Sequence, residues 1–185
     1  MTRPASTKSP SSPRETPAEG AWAAKMARLR QRPRPQNRLR ICDDDQLRQQ
    51  AEAAEQAAHR ARLLSEAAPD DPASAQRAAD TEAAAEAART ALDDASEFLT
   101  FRALAREVLE DLIAGHPPTE AQAAEGAVFN PDTFPAALVA AASFDGMSEE
   151  EAAELLTTWS APDANMLWEA AWQVQQKSRV ELGKD

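Results

Sequence analysis

The chain has 185 residues, a net charge of -11 and 43% apolar residues, with only 5% aromatic and no tyrosine, so it holds one ordinary domain whose core, supplied largely by alanine, is thin. A single cysteine, Cys42, excludes an internal disulfide, and no apolar run approaches the ~18 residues that a membrane span needs. Five glycines and thirteen prolines among abundant Ala, Glu, Gln, Arg and Leu argue against a sheet-built protein and for a mainly α fold.

The charge is unevenly placed. Residues 1–40 hold ten Lys or Arg against Glu15 and Glu19, a net +8, and leave -19 on the remainder. Such a basic arm on an acidic body can meet a partner or fold back on its own chain. Residues 1–20 are rich in Pro, Ser and Thr without apolar periodicity, and the whole stretch 1–36 is expected to be a disordered basic arm. Within it, Ala21 to Arg32 has the spacing of a short helix with Trp22, Met26 and Leu29 on one side, ended by Pro33 and Pro35.

Residues 37–104 read as strand, helical hairpin, strand. Leu39 and Ile41 alternate with Arg38, Arg40 and Cys42, the two-residue period of a short strand. Asp43 or Asp44 then caps a helix from Asp45 to about Ala67, whose Leu47, Ala51, Ala54, Ala58 and Ala61 form a coiled-coil-like heptad seam. Pro69 to Pro72 breaks it. A second helix, Ala73 to about Asp94, carries Ala78, Ala85, Ala88 and Leu92, and the two are expected to pack antiparallel as a projecting hairpin with close axes. Glu97 to Leu104 alternates again and is expected to pair antiparallel with Arg38 to Cys42.

Residues 105–182 read as a compact C-terminal helical domain. Val108, Leu109, Leu112 and Ile113 share one helix face, and shorter helices follow over 120–126, 133–143, 149–159 and 163–179. The predicted architecture is thus a helical domain with a two-stranded β-ribbon, a projecting helical hairpin and a disordered arm. No opening stretch has the charged-then-apolar pattern of a secretory leader, so a soluble intracellular protein is expected.

Chemistry is sparse. In SFDGMSEEEAAELL, aligning Asp145-Gly146 with the fifth and sixth positions of a calcium loop puts Ala141, Ser143 and Ala152 where carboxylates should sit. Ser148 followed by Glu151 instead has capping-box spacing. The Asp43 to Asp45 run reads as a helix cap in preference to a magnesium site. His59, His116 and Cys42 make no metal-ligand or nucleophile–base pattern, so no catalytic residue, metal or cofactor is expected. Trp168 and Trp172, four apart, form a stripe that serves either the core or a partner groove. The basic arm lacks interleaved aromatics, and nucleic acid is not the expected partner.

NRLRICDDDQL, the Ala/Glu/Arg hairpin, TFRAL, HPPT, FNPDTFPAALVAAAS, MSEEEAAELLTTWS and LWEAAWQVQQKSR, in that order, resemble the tail assembly chaperones of long-tailed, siphovirus-type actinobacteriophages. Sixteen arginines against four lysines, with abundant alanine, suit a GC-rich genome. The resemblance implies a non-catalytic factor that binds the tape measure protein in the host cytoplasm while the tail tube polymerises, and that is absent from the mature virion. It also implies multiple copies per client, a homo-oligomer among them, with the major tail protein and a longer frameshift product as further partners; Gly183-Lys184 is a dipeptide that slippery codons encode. Phe129, Phe134, Leu138, Trp159, Trp168 and Trp172 are the residues expected to engage the client. The alternatives are a nucleic-acid-associated protein acting through the arm, and a virion structural or adaptor protein.

Overall fold

A computed structural model describes residues 17–180, with side chains from Gly20 onward. Two units divide at Arg34. In the first, α1 spans Pro17–Arg30. The short helix expected over residues 21–32 is present and starts four residues earlier, so the arm expected to be disordered over residues 1–36 is helical in much of its described part; AWAAKMARLR is rich in strong helix formers and no proline interrupts it before Pro33. Trp22 and Leu29 are exposed on this helix. Residues 1–16, the rest of the expected arm, lie outside the described residues.

The second unit begins at Pro35. Strands β1 (Gln36–Ile41) and β2 (Glu97–Arg102) pair antiparallel with Leu39 opposite Leu99 and Asn37 opposite Phe101. Their connection is the hairpin of α2 (Asp45–Ala67) and α3 (Pro72–Asp94), which make their extensive contacts with each other. Asp44 is the cap of α2, its carboxylate accepting from the Gln46 and Leu47 amides at 2.9 and 3.0 Å. Asp71 caps α3 in the same way through Ala73, with Pro72 at the first helical position.

The hairpin seam is the expected one. Ala51, Ala58, Ala85 and Leu92 are buried, with Leu47, Ala54, Ala61, Ala78 and Ala88 half-buried around them. Alanine permits close axes but buries little area, and at about 25 cal/mol per Å2 each contact stabilises weakly. The seam is therefore sensitive to size. Ala85→Leu is expected to force the helices apart at a cost of about 1–3 kcal/mol, read as faster hydrogen exchange across the hairpin amides with the rest of the unit unchanged.

After β2 come α4 (Arg106–Gly115), α5 (Glu120–Ala124), α6 (Phe134–Ala142), α7 (Glu149–Thr158) and α8 (Ala161–Gln176). Helix α6 is the central one: Phe134, Ala137, Leu138, Val139 and Ala142 are all buried, and α4, α7, α8 and β2 pack around it. Leu167, Ala171 and Val174 of α8 complete the core with Leu39, Phe101 and Ala152. A two-stranded ribbon is marginal alone; here α8 covers one face of it. Among the described residues no helix is long and apolar enough to cross a membrane.

The motifs separated in sequence interlock in space. The Asn37 side-chain amide donates to the Ala170 carbonyl at 3.3 Å, and the Leu104 amide donates to the Gln175 side chain at 2.8 Å. Ser143 bridges Phe101, and the Phe144 amide donates to the Thr100 carbonyl at 2.8 Å. Asp145 accepts the Thr100 amide at 2.8 Å, so the carboxylate weighed as a metal ligand instead closes the outer edge of β2.

Gly146, at φ 85°, makes the turn that follows, a conformation available to glycine without strain. The capping box then forms as expected: Ser148 accepts the Glu151 amide, and Glu151 accepts the Ser148 amide at 2.8 Å. Hydrogen bonding to the Glu151 carboxylate, from the Ser148 amide first and its hydroxyl second, holds that carboxyl below its ordinary value. A carboxyl depressed in the folded state contributes stability above its unfolded pKa and loses it as pH falls through its folded value. Ser148→Ala is expected to lower stability by about 1 kcal/mol at neutral pH and to flatten part of the acid-side decline, measured by urea melts across pH 3–7.

Candidate partner-binding site

Helix α8 sends Leu167, Ala170, Ala171 and Val174 into the core. Trp168 and Trp172, one turn apart on the flank of that stripe, stack with ring centroids 5.5 Å apart and planes 14° from parallel. Both are half-buried. Against them lie Phe129, edge-on at 6.0 and 5.7 Å, and Phe134, edge-on at 6.0 and 6.2 Å. Edge-to-face and offset rings favour one another through the ring quadrupole.

The FNPDTF segment holds this cluster in place. The Asn130 amide donates to the His116 carbonyl at 2.8 Å, and the Asn130 carbonyl accepts from Phe134. The Asn130 side chain accepts the Asp132 amide at 2.9 Å, and Gln122 donates to Asp132. His116 in turn shares a hydrogen bond with Thr133 at 3.0 Å and meets the Phe134 ring edge-on. The turn therefore carries Phe129 back over Phe134, with centroids 4.3 Å apart.

Beside the cluster lies a groove of about 490 Å3 between α6, α7 and α8. Phe129, Trp168, Leu156, Ala153, Ala136 and Pro131 line it, and Asp132, Thr157 and Asn165 supply polar groups. An apolar trough edged by a few polar side chains suits a large apolar side chain on a partner helix.

Comparison with known proteins yields no match. No family model, curated protein or solved structure corresponds to this chain.

Of the six residues expected to engage a partner, Phe129, Trp168 and Trp172 are brought together at the surface. Phe134 and Leu138 are fully buried, so neither is offered to a partner; Phe134 backs the ring cluster from within. Trp159 stands apart, at the end of α7, packed against the core and lining a separate hollow with Leu39, Ile41 and Met166. Sequence reasoning missed Ala153, Leu156 and Pro131. The signal for Ala153 and Leu156 is the half-apolar pattern AAELL, which does not say which of its faces stays open, and Pro131 reads only as a turn residue of FNPDTF. Among the described residues no group of His, Cys, Asp and Glu side chains could hold a metal ion.

Proposed function

We propose that this protein is a non-catalytic assembly chaperone of phage tails that binds an apolar helical client, the tape measure protein. The observation that carries this reading is the groove beside Phe129 and Trp168, an apolar, half-buried trough on an otherwise acidic helical body. A long helical client exposes apolar side chains at i, i+3 and i+4, and a trough of this size receives one or two of them at a time. Net charge far from zero keeps a complex with such a client dispersed. The motif order from NRLRICDDDQL to LWEAAWQVQQKSR supports the same assignment, which carries with it action in the host cytoplasm and absence from the finished particle.

Co-expression with the tape measure protein tests it. The client is expected to stay in the supernatant only when this chain is present, with the two co-purifying. A client equally soluble alone, or tails that assemble without this chain, would sink the proposal.

A further inference from the structure

The ribbon has a second face, opposite the core. Alternation puts Asn37, Leu39 and Ile41 inward and Gln36, Arg38 and Arg40 outward. The register sets Arg38 opposite Thr100, Arg40 opposite Phe98 and Gln36 opposite Arg102. Three arginines and a phenylalanine therefore share one sheet face. The Arg38 guanidinium lies 3.9 Å over the Phe98 ring. Arg102 stands 5.4 Å from the ring of Phe144, which is 57% exposed at the edge the Ser143–Asp145 segment adds to β2.

The carboxylates nearby are largely engaged. Asp93 is paired with Arg40 at 2.9 Å, Asp145 accepts the Thr100 amide, and Glu97 falls on the inward register with Leu99 and Phe101. Among the described residues, no ion pair involves Arg38 or Arg102. A guanidinium seated over a ring face and free of carboxylates keeps N–H groups for an anion and adds its own planar surface to that of the ring.

We propose that this face binds single-stranded nucleic acid, with Arg38 and Arg102 on backbone phosphates and Phe144 and the Arg38–Phe98 pair as stacking surfaces for bases. An acidic peptide would use only the guanidinium forks. A single strand uses the forks and the π surfaces together, the combination of charge and stacking by which single strands are held without sequence preference. A duplex would meet the narrow ribbon through phosphates alone and leave the rings unused. The face is distinct from the groove at Phe129 and Trp168, so it adds a second partner to the chaperone and does not depend on that role.

The test is fluorescence anisotropy of the full chain with labelled 12-nucleotide oligo-dT and oligo-U between 50 and 200 mM salt. Arg38→Ala/Arg102→Ala is expected to weaken binding at least about tenfold at the low salt and to reduce the log–log salt slope by about 1.4. Phe144→Ala is expected to weaken it at least about fivefold with the slope unchanged. All three side chains are exposed, so these variants keep the fold, checked by circular dichroism. The proposal is overturned by no binding at 50 mM salt. It is equally overturned if binding survives the ribbon variants and is lost in Arg28→Ala/Arg30→Ala/Arg32→Ala, or if the ribbon variants abolish self-association and leave oligonucleotide binding intact.

Discussion

Phe134→Ala is expected to destabilise the second unit by about 3–5 kcal/mol, the cost of emptying a buried aromatic site. The ring is completely buried and touches Phe129, Trp168, Trp172 and His116. It sits where the first turn of α6 meets the Asn130 turn and α8, so three elements lose packing at once and little can collapse into the gap. Against a total stability of ~5–15 kcal/mol for a domain, the loss removes roughly a fifth or more of the folding free energy. A urea melt followed by tryptophan emission checks it, since Trp168 and Trp172 report on the same cluster. The midpoint is expected to fall sharply with the slope retained. An exposed control, Phe144→Ala, is expected to move it by under ~0.5 kcal/mol; equal effects of the two changes would mean that the cluster is not the keystone of the core.

On the proposed chaperone role, Ala153→Arg is expected to weaken binding of the tape measure protein at least about tenfold while leaving the fold intact. Ala153 lies in the middle of α7, half-buried, with its methyl toward the groove. Arginine is a good helix former, so the helix tolerates it, and its stem would fill the trough that the client side chain needs. Interface energy concentrates in a few pockets of this kind, and blocking one costs far more than removing a rim contact. Titration of a soluble tape measure fragment, with stability measured in parallel, separates the two effects. Unchanged affinity would place the client elsewhere on the surface. Trp168→Ala is less informative, because loss of its rings' packing would lower stability and affinity together.

Much of this architecture is legible in residues close to one another in the chain. Asp44 and Asp71 ahead of alanine-rich runs, Ser148 three before Glu151, and the heptad spacings of Ala51 to Ala58 and of Ala85 to Leu92 each state a local preference that no distant contact overrides. The ribbon was readable for a related reason: Leu39 and Ile41 alternate with arginine, and a hairpin of two equal helices returns the chain to its start. The helix over residues 21–32 is legible in its alanine run and its proline stop, whereas its start at Pro17 is not, because the Pro-, Ser- and Thr-rich residues ahead of it carry no apolar period.

The candidate site was legible only in part. Trp168 and Trp172 announce a stripe, yet α6 is apolar nearly all round, so periodicity cannot say that Phe134 and Leu138 turn inward while Phe129, just outside the helix, stays at the surface. Asp145, which the calcium-loop alignment does not support as a ligand, is a strand-edge acceptor for an amide 45 residues away, a role no local pattern announces. Local propensity and capping act over three or four residues, and for those the order of amino acids suffices. The choice of which aromatic is buried, which carboxylate is engaged and which arginines share a face depends on contacts between segments far apart in the chain, and packing around α6 decided it.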